Sequence, residues 1–112
     1  MANAQFDIGA ICDNGTGVKK DPVEAVYWYR LAANQGHVDA QYNLGVCYAV
    51  GSGVEKDLSE AFRWYLQAAN QGDAEAANNV GICYSDGVGV SMDMEEAVRW
   101  MHKSCSFLPT IR

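Results

Sequence analysis

Apolar residues in the middle of this chain recur at steps of three and four. Ala40, Leu44, Cys47 and Tyr48 mark one stripe of a helix. Gly45 lies beside that stripe, where the missing side chain lets a neighbouring helix come close. It costs about 1 kcal/mol of helix propensity, which packing must return. The segment Gly51-Ser52-Gly53-Val54 then ends the helix, since glycine supplies the left-handed conformations of a tight exit. A second helix follows. Asp57 and Glu60 form a predicted capping box, in which the aspartate accepts an exposed amide hydrogen and the glutamate reaches back. Leu58, Ala61, Phe62, Tyr65, Ala68 and Ala69 make its inward face, and Gly72 closes it.

The same pattern is written three times at a spacing of 36 positions. Gly9, Gly45 and Gly81 coincide, as do Gly17, Gly53 and Gly89, then Asp21, Asp57 and Asp93, then Trp28, Trp64 and Trp100. Capping boxes stand at Asp21 to Glu24 and Asp93 to Glu96, the first with Pro22 at the opening helical position, where its missing donor is harmless. A fixed period in this range is the mark of a solenoid whose units bury their apolar faces on one another. The expected fold is therefore all-α: a right-handed α/α solenoid of three 36-residue antiparallel helix pairs, without strands. It forms one domain over residues 1–112, with repeats near 3–38, 39–74 and 75–110.

The order of markers is Ala40, Leu44, Gly45, Tyr48, Gly51, Gly53, Val54, Asp57, Ala61, Trp64, Ala68, Ala69 and Gly72. It resembles the SEL-one-like repeats, a branch of the tetratricopeptide-like helical solenoids. Cys12 departs from the pattern, standing where the other units have Tyr48 and Tyr84. Ser104 and Cys105 replace the Ala-Ala pair, and Leu108 replaces the closing glycine. Pro109 then reads as a stop, with Phe107 and Leu108 expected to fold back as a partial lid. The resemblance implies a non-enzymatic adaptor or scaffold for protein–protein interaction. A cysteine-rich bacterial branch binds penicillins and cleaves them weakly, tying its helix pairs with disulfides. Cys105 matches one position of such a pair, but its partner cysteine is missing here, so no catalytic residue carries over.

Composition narrows the partners. A net charge of −6, with only eight scattered Lys and Arg, disfavours nucleic acid, because phosphate binding needs clustered cations. No run approaches membrane-spanning length. Met1 to Ala10 lacks the basic start and apolar core of a secretory signal, which favours the cytoplasm; a longer natural chain would leave secretion or the periplasm open. The four cysteines show neither CxxC pairing nor histidines at metal-site spacing. Cys47 and Cys83 share a slot that Ile11 fills in the first unit, so they read as buried packing thiols. The three Gly-x-Gly runs follow helices rather than strands and read as turns, not phosphate cradles. His37 and His102 fall at unrelated repeat positions, as surface or boundary residues. Neither catalysis, nor metal, nor cofactor is expected.

The candidate site is the face of the first helices turned away from the packing stripe. In the middle unit it carries Tyr42, Val46, Ala49 and Val50; its counterparts are Phe6, Ala10, Asp13 and Asn14, then Asn78, Ile82, Ser85 and Asp86. First helices line the concave side of such solenoids, where extended peptides bind. The expected partner-binding residues are Phe6, Asp13, Asn14, Tyr42, Val46, Val50, Asn78, Ile82 and Asp86. Their composition suits a peptide or protein segment with a basic residue and an apolar anchor. Packing between adjacent first helices has an equal claim on the apolar ones. Tyr42→Asp or Val46→Asp should abolish such binding in a still-folded protein. Exposed apolar repeat ends at Ile8 and Ile11 point alternatively to a self-associating unit, a homodimer, or a fragment of a longer repeat protein.

Overall fold

A computed structural model of the chain describes residues 1–15 and 21–107, with side chains through Ser104. Among the described residues six helices run in order: α1 (Ala2–Asn14), α2 (Pro22–Asn34), α3 (Val38–Val50), α4 (Leu58–Asn70), α5 (Ala74–Asp86) and α6 (Met94–Phe107). No strand occurs among the described residues. Successive helices pack in hairpins, α1 on α2, α3 on α4 and α5 on α6, and α2 and α4 then pack on the first helix of the next pair. The principal extents are 43 × 35 × 22 Å. This is an all-α helical repeat solenoid.

The second helices begin where their aspartates stand. Asp21, Asp57 and Asp93 each accept, through a side-chain oxygen at 3.1 Å, the amide hydrogen of the residue three positions on. The reciprocal arm of the capping box is absent. The amides of Asp21, Asp57 and Asp93 already donate to the carbonyls of Cys12, Tyr48 and Tyr84 at the ends of the first helices. The glutamates are thereby released: Glu24 accepts from the Trp28 indole, while Glu60 and Glu96 pair with Arg63 and Arg99. One consequence is a buried orphan. Trp64 Nε1 has no hydrogen-bond partner, since Arg63 holds the glutamate that its counterpart Trp28 uses.

The core falls into two clusters, with the half-buried Tyr48 packed against both. Val26, Tyr29, Ala32 and Ala33 of α2 bury Ala40, Leu44 and Cys47 of α3. Phe62, Tyr65, Ala68 and Ala69 of α4 do the same for Ala76, Val80 and Cys83 of α5. Leu58 corrects the expected inward face: standing at the first position of α4, it is 38% exposed and belongs to neither buried cluster. Trp64 and Trp100 are buried, each reaching back into the cluster shared with the preceding unit; Trp28, in the first unit, is half-exposed. Within each hairpin the glycine allows close approach. A Cβ on Gly45 would lie 2.8 Å from the Tyr65 ring, and one on Gly9 equally close to Tyr29.

Between units main chain also approaches main chain closely. Gly53, at φ +75°, sits against the first turn of α2, where a Cβ would fall 2.3 Å from the Pro22 carbonyl oxygen. Gly89 meets the Leu58 carbonyl in the same way. The Gly-x-Gly runs at these two positions are turns, as expected, and also inter-unit contacts. Thr16 and Gly17 of the first run and the tail proposed as a lid (Leu108 onward, with the Phe107 side chain) lie outside the described residues, as does the side chain of Cys105.

Candidate functional site

Two adjoining grooves are lined chiefly by the first helices. The larger, about 410 Å³, is lined by Phe6 of α1, by Asp39, Tyr42 and Asn43 of α3, and by Asp73, Ala74 and Glu75 at the start of α5. Its floor is aromatic. Phe6 stacks on His37 with ring centroids 4.7 Å apart, and Tyr42 lies 5.6 Å from Tyr65. Asn79 donates to the Tyr42 hydroxyl at 3.4 Å. Its rim is acidic: Asp39 and Glu75 are exposed, while one oxygen of Asp73 caps α5 by accepting from Glu75 and Ala76.

The smaller groove, about 260 Å³, is lined by Asp13 of α1, by Asn43, Val46, Cys47 and Val50 of α3, and by Ser52. Val50 is 66% exposed. The Tyr29 hydroxyl donates to Asp13 at 3.3 Å. Burial first, and then the Asp13 charge, push the Tyr29 hydroxyl up to about 12 and the Cys47 thiol up to about 11. Cys47 is thus held as a neutral thiol, a poor nucleophile and an ordinary apolar wall. Asn43 borders both grooves and joins them into one strip. Among the described residues no Lys or Arg lines either groove.

Five of the nine sequence-expected residues therefore come together here: Phe6 and Tyr42 in the larger groove, Asp13, Val46 and Val50 in the smaller. Asn78 lines a further recess with Ser104 and with Ala74 and Glu75, which also border the larger groove. Asn14, Ile82 and Asp86 are exposed but line none of these surfaces. Tyr42 and Val46 also pack against the core, so an aspartate at either would disturb the fold as well as the groove. Tyr42→Asp and Val46→Asp are unsuitable probes; Val50→Asp is the clean one. Asp39, Asn43, Asp73 and Glu75 were missed by a rule that counts half a turn from the packing stripe. The available signal was the slot of Asp7, Asn43 and Asn79, polar in all three units although next to the stripe.

His37 is half-buried at the boundary, and its Nδ1 accepts from the Ala40 amide at 3.1 Å and caps α3. Among the described residues no group of His, Cys, Asp and Glu is placed to hold a metal ion. Nor is any described helix long and apolar enough to cross a membrane.

Comparison with known proteins gives a consistent answer. The family model described as Sel1 repeat matches residues 2–37, 38–73 and 74–106. A Sel1 repeat protein from Oxalobacter formigenes superposes with a TM-score of 0.93 at 38% identity, covering 95% of this chain and 44% of its own. A protective antigen of uropathogenic Escherichia coli, c5321, which displays an SLR fold, gives 0.92 at 38% identity, with 94% and 22% covered. The chain thus spans less than half the length of either. Helicobacter pylori cysteine rich protein B shares the fold, with a TM-score of 0.79 at 20% identity over 95% of this chain and 82% of that one. No match is found among curated proteins.

Proposed function

The chain belongs to the Sel1 repeat family, generally scaffolds for protein–protein interaction and typically not enzymes, and from that premise we propose that it binds a peptide or protein segment along its first helices. The observation that carries this reading is the strip joined at Asn43, with aromatic and aliphatic walls and, among the described residues, carboxylates as its charged lining. Such a strip favours a segment with a basic residue and an apolar anchor, since apolar burial supplies affinity and opposite charge selects the partner. The role is non-enzymatic. A partner obtained by affinity capture with crosslinking supplies the test. Val50→Asp should weaken it about tenfold or more, while Glu95→Gln on α6, remote from the strip, should not. Unchanged affinity with Val50→Asp would place the binding surface elsewhere.

A second reading rests on the two ends of the stack. Ile8 and Ile11 are 38% and 42% exposed, although Leu44 and Cys47 in the same slots are buried; Val98 and Met101 are 49% and 37% exposed where Phe62 and Tyr65 are buried. Each end presents the surface that a further unit covers inside the stack, so a second copy suits it, as does another unit of a longer chain.

A further inference from the structure

We propose that the two grooves read two side chains of one extended segment: a Lys or Arg in the Phe6–Tyr42 groove and an aliphatic residue in the Val46–Val50 groove, two or three positions apart. This deepens, and rests on, the assignment of binding to the first-helix strip. The division of labour follows from the linings. The larger groove joins two aromatic rings to Asp39, Asp73 and Glu75, and a cation gains both from ring faces and from carboxylates. In the smaller groove the one carboxylate, Asp13, already accepts the Tyr29 hydroxyl. The rest of its wall is chiefly Val46, Val50 and the neutral Cys47 thiol. That surface gains most from an aliphatic side chain.

The spacing comes from α3, which contributes to both grooves. Its residues in the larger groove centre near position 41 and those in the smaller near position 46 or 47. At a rise of 1.5 Å per residue the centres lie roughly 8 Å apart along the helix. An extended chain advances about 3.3 Å per residue, so anchors two or three positions apart span roughly 7–10 Å. Adjacent anchors fall short, and anchors five apart overshoot.

Panning a phage-displayed library of random dodecapeptides on the intact chain tests this directly. The variants are Asp39→Asn/Glu75→Gln and Val50→Asp, all at exposed positions, with thermal melts as the check on folding. Enriched peptides should carry Lys or Arg and Leu, Ile or Val at the i, i+2 or i, i+3 spacing. The Asp39→Asn/Glu75→Gln variant should bind them about tenfold more weakly and erase the penalty for replacing the peptide's basic residue with Gln. Val50→Asp should likewise erase the penalty for replacing the aliphatic residue with Ser. Peptides that lose binding to Val50→Asp yet show no fixed spacing would overturn the two-point register and leave the strip assignment standing. Enriched peptides indifferent to both variants, or no enrichment over an unrelated helical protein, would overturn the strip assignment and this inference with it.

Discussion

At the scale of single residues, the structure separates positions that look alike in the repeat. Gly45 and Gly81 share one slot, but their neighbours differ. A Cβ on Gly45 meets the buried Tyr65 ring at 2.8 Å; one on Gly81 meets Met101 Cγ, part of a flexible and exposed side chain, at 3.0 Å. Alanine gains about 1 kcal/mol of helix propensity at either. Overpacking against a ring that cannot move costs roughly 1–3 kcal/mol, and against methionine much less. Gly45→Ala should therefore be less stable than Gly81→Ala by at least about 1 kcal/mol in urea unfolding; equal values would refute the packing account. Burial also sets a pH limit. Tyr29 and Tyr65 are pushed up to about 12 from 10.0, and Cys47 to about 11 from 9.0, chiefly by desolvation. The unfolded chain gives up these protons first, so the stability they contribute is complete below about pH 9 and is lost as pH climbs from there to about 12. The melting midpoint should fall between pH 8 and pH 11, and Tyr65→Phe should flatten that fall; a midpoint that stays level would contradict it.

At the scale of helices, the sequence announced α2, α4 and α6 through Asp21, Asp57 and Asp93, and each aspartate caps as the spacing predicts. It misled about the glutamates. Nothing in a four-residue pattern reveals that a carbonyl from the previous helix, such as that of Tyr48, will satisfy the cap residue's own amide. The energetic consequence is measurable. Asp57→Ala should cost about 1 kcal/mol. Glu60→Gln, which removes only an exposed pair with Arg63, should stay within about 0.5 kcal/mol. If denaturant unfolding shows comparable losses, the glutamate has a capping role that the geometry denies it. The cap of α3 was hidden for another reason. Histidine is an uncommon cap, yet His37 stands 36 positions before Asp73, the cap of α5, so the repeat register held the clue.

For the molecule as a whole, periodicity made the stack legible, because buried slots such as Ala40 and Ala76 must recur if each unit covers the next. The grooves were only half legible. They open between adjacent first helices, and their walls depend on how those helices splay, which brings the first turn of α5 toward Phe6. No period within one helix encodes that angle. The exposed ends carry their own test: light scattering over a dilution series should show association that Val98→Asp suppresses, and a monomer at every concentration would dismiss end-to-end stacking. The contacts of Gly53 with the Pro22 carbonyl and of Gly89 with the Leu58 carbonyl bear on how such a protein grows. Because bare backbone meets bare backbone there, the joint is blind to whichever side chains flank it. A gene duplication that copies one 36-residue module therefore inherits a working hinge pin at once, and array length can change in evolution while the pitch of the superhelix stays the same.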